Sequence, residues 1–460
     1  MQLKSRQPTI FSKKSHYLFF IVIFLLIGLG TSSFVFGKEK EHSFWGSLTQ
    51  RYKLRSTGAV SDHDSESIVN LNLGHGNYDR FSASVQAGLI VDINGAEDNK
   101  LFSSIYDSYS SRAVGRLYHA YFDARKVGPI GLARLGRQHI YEIDSVYFDG
   151  ASVTTRPYYG LVFSAFGGVP VHLYESQIGV GKKDWTLGGS VQWTPLARLR
   201  LRGDVVHLKD DTSSFRITQQ DQEDTLLSGS VWADLTKIWN VFGRVSAFSD
   251  EMRDVEAAST LRFDPQKLSF RFRVYRLLED YDIRVVDWDA YGIAGSYRPY
   301  TEGGLNVTKE MSKYFSVDGG FVVRRLDDRQ IASAFNHGFE RVFTSLSSRD
   351  FLVKGLSTST TFDYYHSRDN VLKNNTSGVS FSANQDLLKK RLKVGAGTAF
   401  YLYRYNLLTG NESDNVRTYF TNAEAILTKK KDLKAKMAYE IEDNKFNTFH
   451  SLKAGVTWNF

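Results

Sequence analysis

Read back from its end, the chain alternates. Phe460, Trp458, Val456, Ala454 and Leu452 are apolar; Asn459, Thr457, Gly455, Lys453 and Ser451 between them are polar or small. A period of two belongs to an extended strand with one apolar and one wetted face. The same alternation recurs along the chain in segments of about 10–14 residues set apart by turn residues. It predicts strands over 43–57, 69–75, 81–94, 114–126, 130–141, 146–156, 160–169, 185–194, 197–208, 226–235 and 239–248. It continues over 256–263, 267–277, 301–309, 314–325, 336–346, 353–365, 377–385, 391–404, 416–428, 433–442 and 449–460. Between them, Ala59 to Glu66 reads as a polar loop, and Glu279 to Tyr300 as a long loop that folds inward or carries a strand at 291–297.

The connections sort by parity. Thr194-Pro195-Leu196, Asp264-Pro265-Gln266, 310–313, 347–350 and 428–432 are short; Gly95–Arg112, Pro170–Asp184, Lys209–Asp224, Glu279–Tyr300 and Tyr405–Asn415 are longer. An edge strand of a soluble sandwich explains one alternating segment but not this sorting. The expectation is an all-β chain: a single closed antiparallel transmembrane β-barrel of about 22 strands, range 18–22, both termini periplasmic. No apolar run after Gly37 is long enough for a membrane helix, and closure lets strands span instead because every backbone group is paired.

The first 37 residues stand apart. Lys4, Arg6, Lys13 and Lys14 precede an apolar core from Tyr17 to Gly30, and Val35-Phe36-Gly37 closes the segment. That is a secretory signal, expected to be cleaved after Gly37, leaving 38–460 as the barrel. Of the 58 lysines and arginines those four are lost with it, leaving 54 against 50 acids, so the mature chain is near balance and gives no argument for nucleic acid. There is no cysteine, which excludes disulfides, thiolate metal sites and covalent c-type haem in this chain.

Alternation also sorts the charges. Arg198, Arg200, Arg202 and Asp204 share one face of their segment, and Leu199, Leu201, Gly203 and Val205 the other. Arg271 and Arg273 oppose Phe270, Phe272 and Val274; Lys434 and Lys436 oppose Leu433, Ala435 and Met437. Cations at mid-depth facing lipid would cost several kcal/mol, so these rows belong in the lumen. Barrels of about 16 to 18 strands or more hold an aqueous channel. Cationic rows there raise the local anion concentration; as a wetted face with internal salt bridges they would give little selectivity. Histidines are scattered without metal-ligand spacing, and no catalytic constellation stands out, so neither a metal, a cofactor nor an enzyme is expected. Strands begin almost at once after Lys40, leaving no room for the plug domain of a gated siderophore transporter.

Three stretches carry a resemblance. The last strand, with Leu452, Val456, Trp458 and Phe460 on its apolar face, resembles the C-terminal signal strand of bacterial outer-membrane barrels. That implies the barrel-assembly machinery as a partner and the outer-membrane lipid as surroundings. Leu135-Gly136-Arg137-Gln138 with Tyr147-Phe148-Asp149-Gly150-Ala151 is similar to the Gly-Arg-Gln … Phe-Asp-Gly pattern of alginate-export-type porins. Here Arg137 is placed to reach Asp149 as a wall brace or to touch solute, and Gly136 and Gly150 to relieve crowding or permit a bend. Phe335 to Arg341 with Lys354-Gly355-Leu356-Ser357 resembles porin-like proteins found with multihaem cytochromes. The first two imply a porin-like channel of the outer membrane passing small hydrophilic, and by its cations anionic, solutes. The third implies an alternative: a sleeve for a multihaem c-type cytochrome that would bring its own haem.

Overall fold

The computed structural model describes residues 44–460, apart from 59, 76–78, 94–111, 142–144, 172–183, 211–221, 250, 280–298, 329–337, 368–374, 407–410 and 445–446. The expected signal segment, the 335–337 part of the cytochrome-type motif and most of the 279–300 loop lie outside the described residues. Alternation becomes twenty-two antiparallel strands. The first eleven are β1 (Phe44–Ser56), β2 (Ser61–Leu73), β3 (Phe81–Asp92), β4 (Ala113–Val127), β5 (Ile130–Tyr141), β6 (Ser145–Thr155), β7 (Leu161–Pro170), β8 (Trp185–Leu196), β9 (Leu199–Asp210), β10 (Gln222–Asp234) and β11 (Trp239–Phe248). The others are β12 (Glu251–Phe263), β13 (Leu268–Leu277), β14 (Tyr300–Glu310), β15 (Phe315–Leu326), β16 (Phe339–Arg349), β17 (Leu356–Ser367), β18 (Asn375–Leu387), β19 (Leu392–Asn406), β20 (Asn411–Ile426), β21 (Leu433–Asp443) and β22 (Thr448–Asn459).

Each strand pairs with the next in sequence, and β1 pairs with both β2 and β22. The sheet is therefore a closed barrel without an edge. The seam runs in register from Ser47–Asn459 to Ser56–His450. It is locked at the rim by Gly46 N–H to Phe460 C=O at 2.9 Å and Phe460 N–H to Gly46 C=O at 3.0 Å. Both ends of the sheet thus lie at one rim. That rim carries the tight turns, such as 128–129 and 197–198, while the connections at 93–112, 171–184 and 278–299 belong to the other.

Four expectations need correction. Ala59–Glu66 is not a loop, because β2 begins at Ser61. Its acids looked like loop composition, yet Asp62, Asp64 and Glu66 alternate onto one face and meet Arg55, Lys53 and Arg51 of β1. The 405–415 connection is mostly strand, since β19 runs to Asn406 and β20 starts at Asn411. The Thr194–Leu196 turn is the end of β8, where a register irregularity between Trp193 and Leu196 absorbs Pro195. Arg198 then sits in the 197–198 turn at the rim rather than in a strand.

One part of the wall departs from a plain barrel. The β4–β5 ladder ends at Ala120–Arg137, while β5 and β6 stay paired to Tyr141–Ser145. Beyond that point Arg137 and Gln138, adjacent and therefore on opposite faces, are each 1 % exposed, and Val146 and Phe148 are 1 % and 0 % exposed. A strand in the wall shows one face to lipid; this hairpin end shows neither, so it has turned into the lumen. Its apolar face packs with Phe166, Val206 and Leu226 as a core inside the barrel, with Ile140 and Phe248 at its margin. Gly136 makes the turn possible. Its φ is +124°, and a Cβ there would strike the carbonyl of Ala120.

Candidate channel lining

Alternation fixes two faces. Outward stand large apolar residues such as Leu135, Leu187 and Phe272, 64 %, 57 % and 50 % exposed, a surface suited to hydrocarbon. On the last strand Val456, Trp458 and Phe460 belong to this exposed apolar set, and Leu452 shares their parity. Inward stand the charges.

Across β11 to β15 these charges form one alternating chain. Arg244 reaches Asp254 at 3.3 Å and Glu256 at 3.8 Å. Glu256 accepts from Arg273 Nε at 2.7 Å, and Arg273 Nη1 lies 3.8 Å from Glu302. Glu302 in turn holds Arg324 at 2.7 Å. Arg324 stacks on Tyr300 at 4.3 Å and Phe339 at 5.1 Å, which fixes its plane. Further round, Arg341 Nε donates to Asp363 at 3.0 Å. Single exposed pairs are worth ~0–1 kcal/mol, but a chain in which each carboxylate is shared holds its charges in place. Fixed charges that need no reorganisation are what a channel wall requires to act on a passing ion.

The expected lumen residues fall into three groups. Arg273 belongs to the chain, Arg202 Nε is held by buried Asp204 at 2.7 Å, and Lys436 meets Glu424 at 3.0 Å. Arg200, Arg271 and Lys434 share their lumenal parity; Arg200 stacks on Trp232 at 4.0 Å, and Arg271 is exposed. Arg198 lies in the rim turn, and Arg137 is interior. Arg137 grips Asp149 with two bonds of 2.7 Å and donates to the Leu117 carbonyl at 3.1 Å. Tyr147 Oη donates to the Leu117 and Tyr118 carbonyls at 3.0 and 2.7 Å. Side chains of the hairpin thus satisfy acceptors that β5 leaves unpaired on β4, as buried carbonyls demand.

Sequence reasoning missed Glu302, Arg324, Arg341 and Asp363. Their alternation was visible, but nothing in a single strand says which residue lies opposite, and the pairing makes the network. Towards the tight-turn rim from the Arg341–Asp363 pair, the same two strands are lined by hydroxyls: Ser345, Ser359 and Thr361 of β16 and β17 exchange bonds of 3.2–3.3 Å. Asp62, Asp64 and Asp92 converge on one spot near the long-connection rim, but Asp62 is held by Arg55 and Asp64 lies 3.8 Å from Lys53.

No family model and no curated protein matches the chain. Among solved structures it is similar to the Pseudomonas aeruginosa protein OpdK with vanillate, at 11 % identity and TM-score 0.43, covering 91 % of this chain and 98 % of that one. It is also similar to Acinetobacter baumannii OccAB4, at 8 % identity and TM-score 0.45, covering 92 % and 99 %. Pseudomonas aeruginosa OccK2 (OpdF) in complex with glucuronate follows at 10 % identity and TM-score 0.43, covering 91 % and 96 %. Neither the alginate-export nor the cytochrome-associated resemblance gains support from these likenesses. The class the chain itself defines is a closed 22-stranded barrel with an apolar exterior and a charged interior.

Proposed function

We propose that this chain is an outer-membrane channel, exported by the signal in residues 1–37, that passes small hydrophilic solutes by diffusion and favours anions. The observation that carries the reading is the pairing of an apolar outer face with a lumen whose ion pairs are fixed across five strands, Asp254 to Arg324. Exposed Arg271 and the lysines 434, 436 and 453 on the lumenal parity of β21 and β22 give the preference its sign. The barrel ends meet at the tight-turn rim, which in this reading faces the periplasm.

The test is single-channel conductance of the refolded chain in a planar bilayer under a salt gradient. Steady pores with an anion-biased reversal potential are expected. A heat-modifiable barrel with no conductance, or with a cation-biased reversal, would sink the proposal. Very large, unstable currents would instead favour the sleeve around a multihaem cytochrome. The buried hairpin end already inside the lumen weighs against that sleeve.

A further inference from the structure

At the closing seam lumenal cations stand close together across three strands. Two register rows cross it. In one, Lys436 of β21 lies opposite Gly455 of β22, and Gly455 opposite Arg51 of β1. In the other, two residues along, Ala438 lies opposite Lys453, and Lys453 opposite Lys53. All six share the lumenal parity, so four cations surround two residues with almost no side chain. The second row continues through Asn422 of β20 and Gly395 of β19 to Asn384 of β18. Gly395 leaves room there, since a Cβ would lie 2.7 Å from Asn422 Oδ1 and strike Asn384. The two carboxamides therefore converge above it at one end of the trough.

The trough encloses about 700 Å³ and its lining includes Arg51, Lys53, Lys393, Lys436 and Lys453. Only three carboxylates line it, Asp64, Glu66 and Glu424. Each already has a cation: Glu66 meets Arg51 at 3.1 Å, Asp64 lies 3.8 Å from Lys53, and Glu424 meets Lys436 at 3.0 Å. Lys453 has no ion-pair partner among the described residues, and it stands directly opposite another lysine. Like charges directly opposite each other on a sheet destabilise it. A folded wall that keeps such a pair has charge to spare for something else.

We propose that this trough is a binding site for a small multivalent anion, of the class of inorganic phosphate or a di- or tricarboxylate. It rests on the channel reading above and names a station within that lumen. The anion lies over Ala438 and Gly455, takes charge-assisted bonds from Lys453, Lys53 and Lys436, and accepts from the Asn422 amide. Site and repulsion are one feature: an anion there offsets the repulsion between the facing Lys53 and Lys453.

The test is interruption of the single-channel current by inorganic phosphate at constant ionic strength, with K453Q and K53Q as variants. Phosphate is expected to interrupt the wild-type current in a dose-dependent way. K453Q should weaken that block about tenfold, equivalent to ~1.4 kcal/mol. Without phosphate, K453Q should unfold at the same or a higher denaturant midpoint, because it removes a repulsion. A lysine with a purely structural role would give a lower one. R341Q, on β16 six strands from β22, should leave the phosphate affinity unchanged, because screening confines such effects to about 10 Å at 0.1 M salt. Equal weakening by R341Q would mean general field effects and overturn the site. A conducting pore that phosphate never interrupts would overturn the site and leave the channel standing. If the barrel does not conduct, calorimetric titration of phosphate into wild type and K453Q decides the site alone, and equal or absent heats overturn it.

Discussion

Replacing Arg137 by methionine should cost the barrel about 3 kcal/mol. The guanidinium is 1 % exposed and the facing Asp149 carboxylate 14 % exposed, joined by two bonds of 2.7 Å. Removing one partner of such a pair leaves a charge without compensation in the interior, at a cost of ~3–5 kcal/mol. Asp149 keeps some contact with water, which places the figure at the lower end. The Leu117 carbonyl loses one donor but keeps Tyr147 Oη at 3.0 Å, so little is added there. The double variant R137M/D149L removes both charges and should recover most of the loss, because replacing a whole buried pair with apolar groups is often neutral. Denaturant unfolding of the refolded barrel in detergent, followed by the fluorescence of its 7 tryptophans, measures all four corners of the cycle. The hairpin end is held in the lumen by these bonds, so the single variant should also widen the spread of open-channel current. A single-variant cost below about 1 kcal/mol, or additive single costs, would refute the reasoning.

Gly136→Val should prevent the β5–β6 hairpin from turning inward, because a branched residue there meets both a φ of +124° and the Ala120 carbonyl. The backbone term alone is ~1–3 kcal/mol, and loss of the heat-modifiable form is expected. Gly115→Ala in neighbouring β4, where a Cβ meets nothing within 4 Å, should fold normally; equal behaviour of the two variants would count against the bend. In the β20–β21 turn, the Thr428 hydroxyl donates to the Asp432 carboxylate and holds its pKa below the ordinary 3.8. A lowered folded-state pKa adds stability above the unfolded value and loses it as the pH falls below it. D432N should therefore show less loss of thermal stability than wild type on going from pH 6 to pH 3, and parallel curves would exclude the role.

How much was legible depended on the range of each feature. For β13 a single strand was enough: Arg271 and Arg273 alternate with Phe270 and Phe272, and only one assignment keeps cations out of hydrocarbon. The boundaries of β5 and β11 could be read because Val127-Gly128-Pro129 and Thr236 to Ile238 break the pattern sharply. β2 could not be read, because Ser61 to Ser67 is polar on both faces. Its inward acids face β1 cations, and its outward His63, Ser65 and Ser67 bond to Tyr52 and Gln50. Those bonds are properties of two strands together.

The sequence by itself determined what is periodic or local: most of the strands, the split into an apolar and a charged face, and a last strand fit to close a sheet. Two-residue periodicity needs no partner, and the penalty for a misplaced cation enforces it residue by residue. Only the tertiary structure decided which charges meet. The chain from Asp254 to Arg324, the facing lysines at the seam and the end of the β4–β5 ladder at Ala120 all depend on register. Register comes from closing twenty-two strands on one another, with β1 matched to a strand some four hundred residues later.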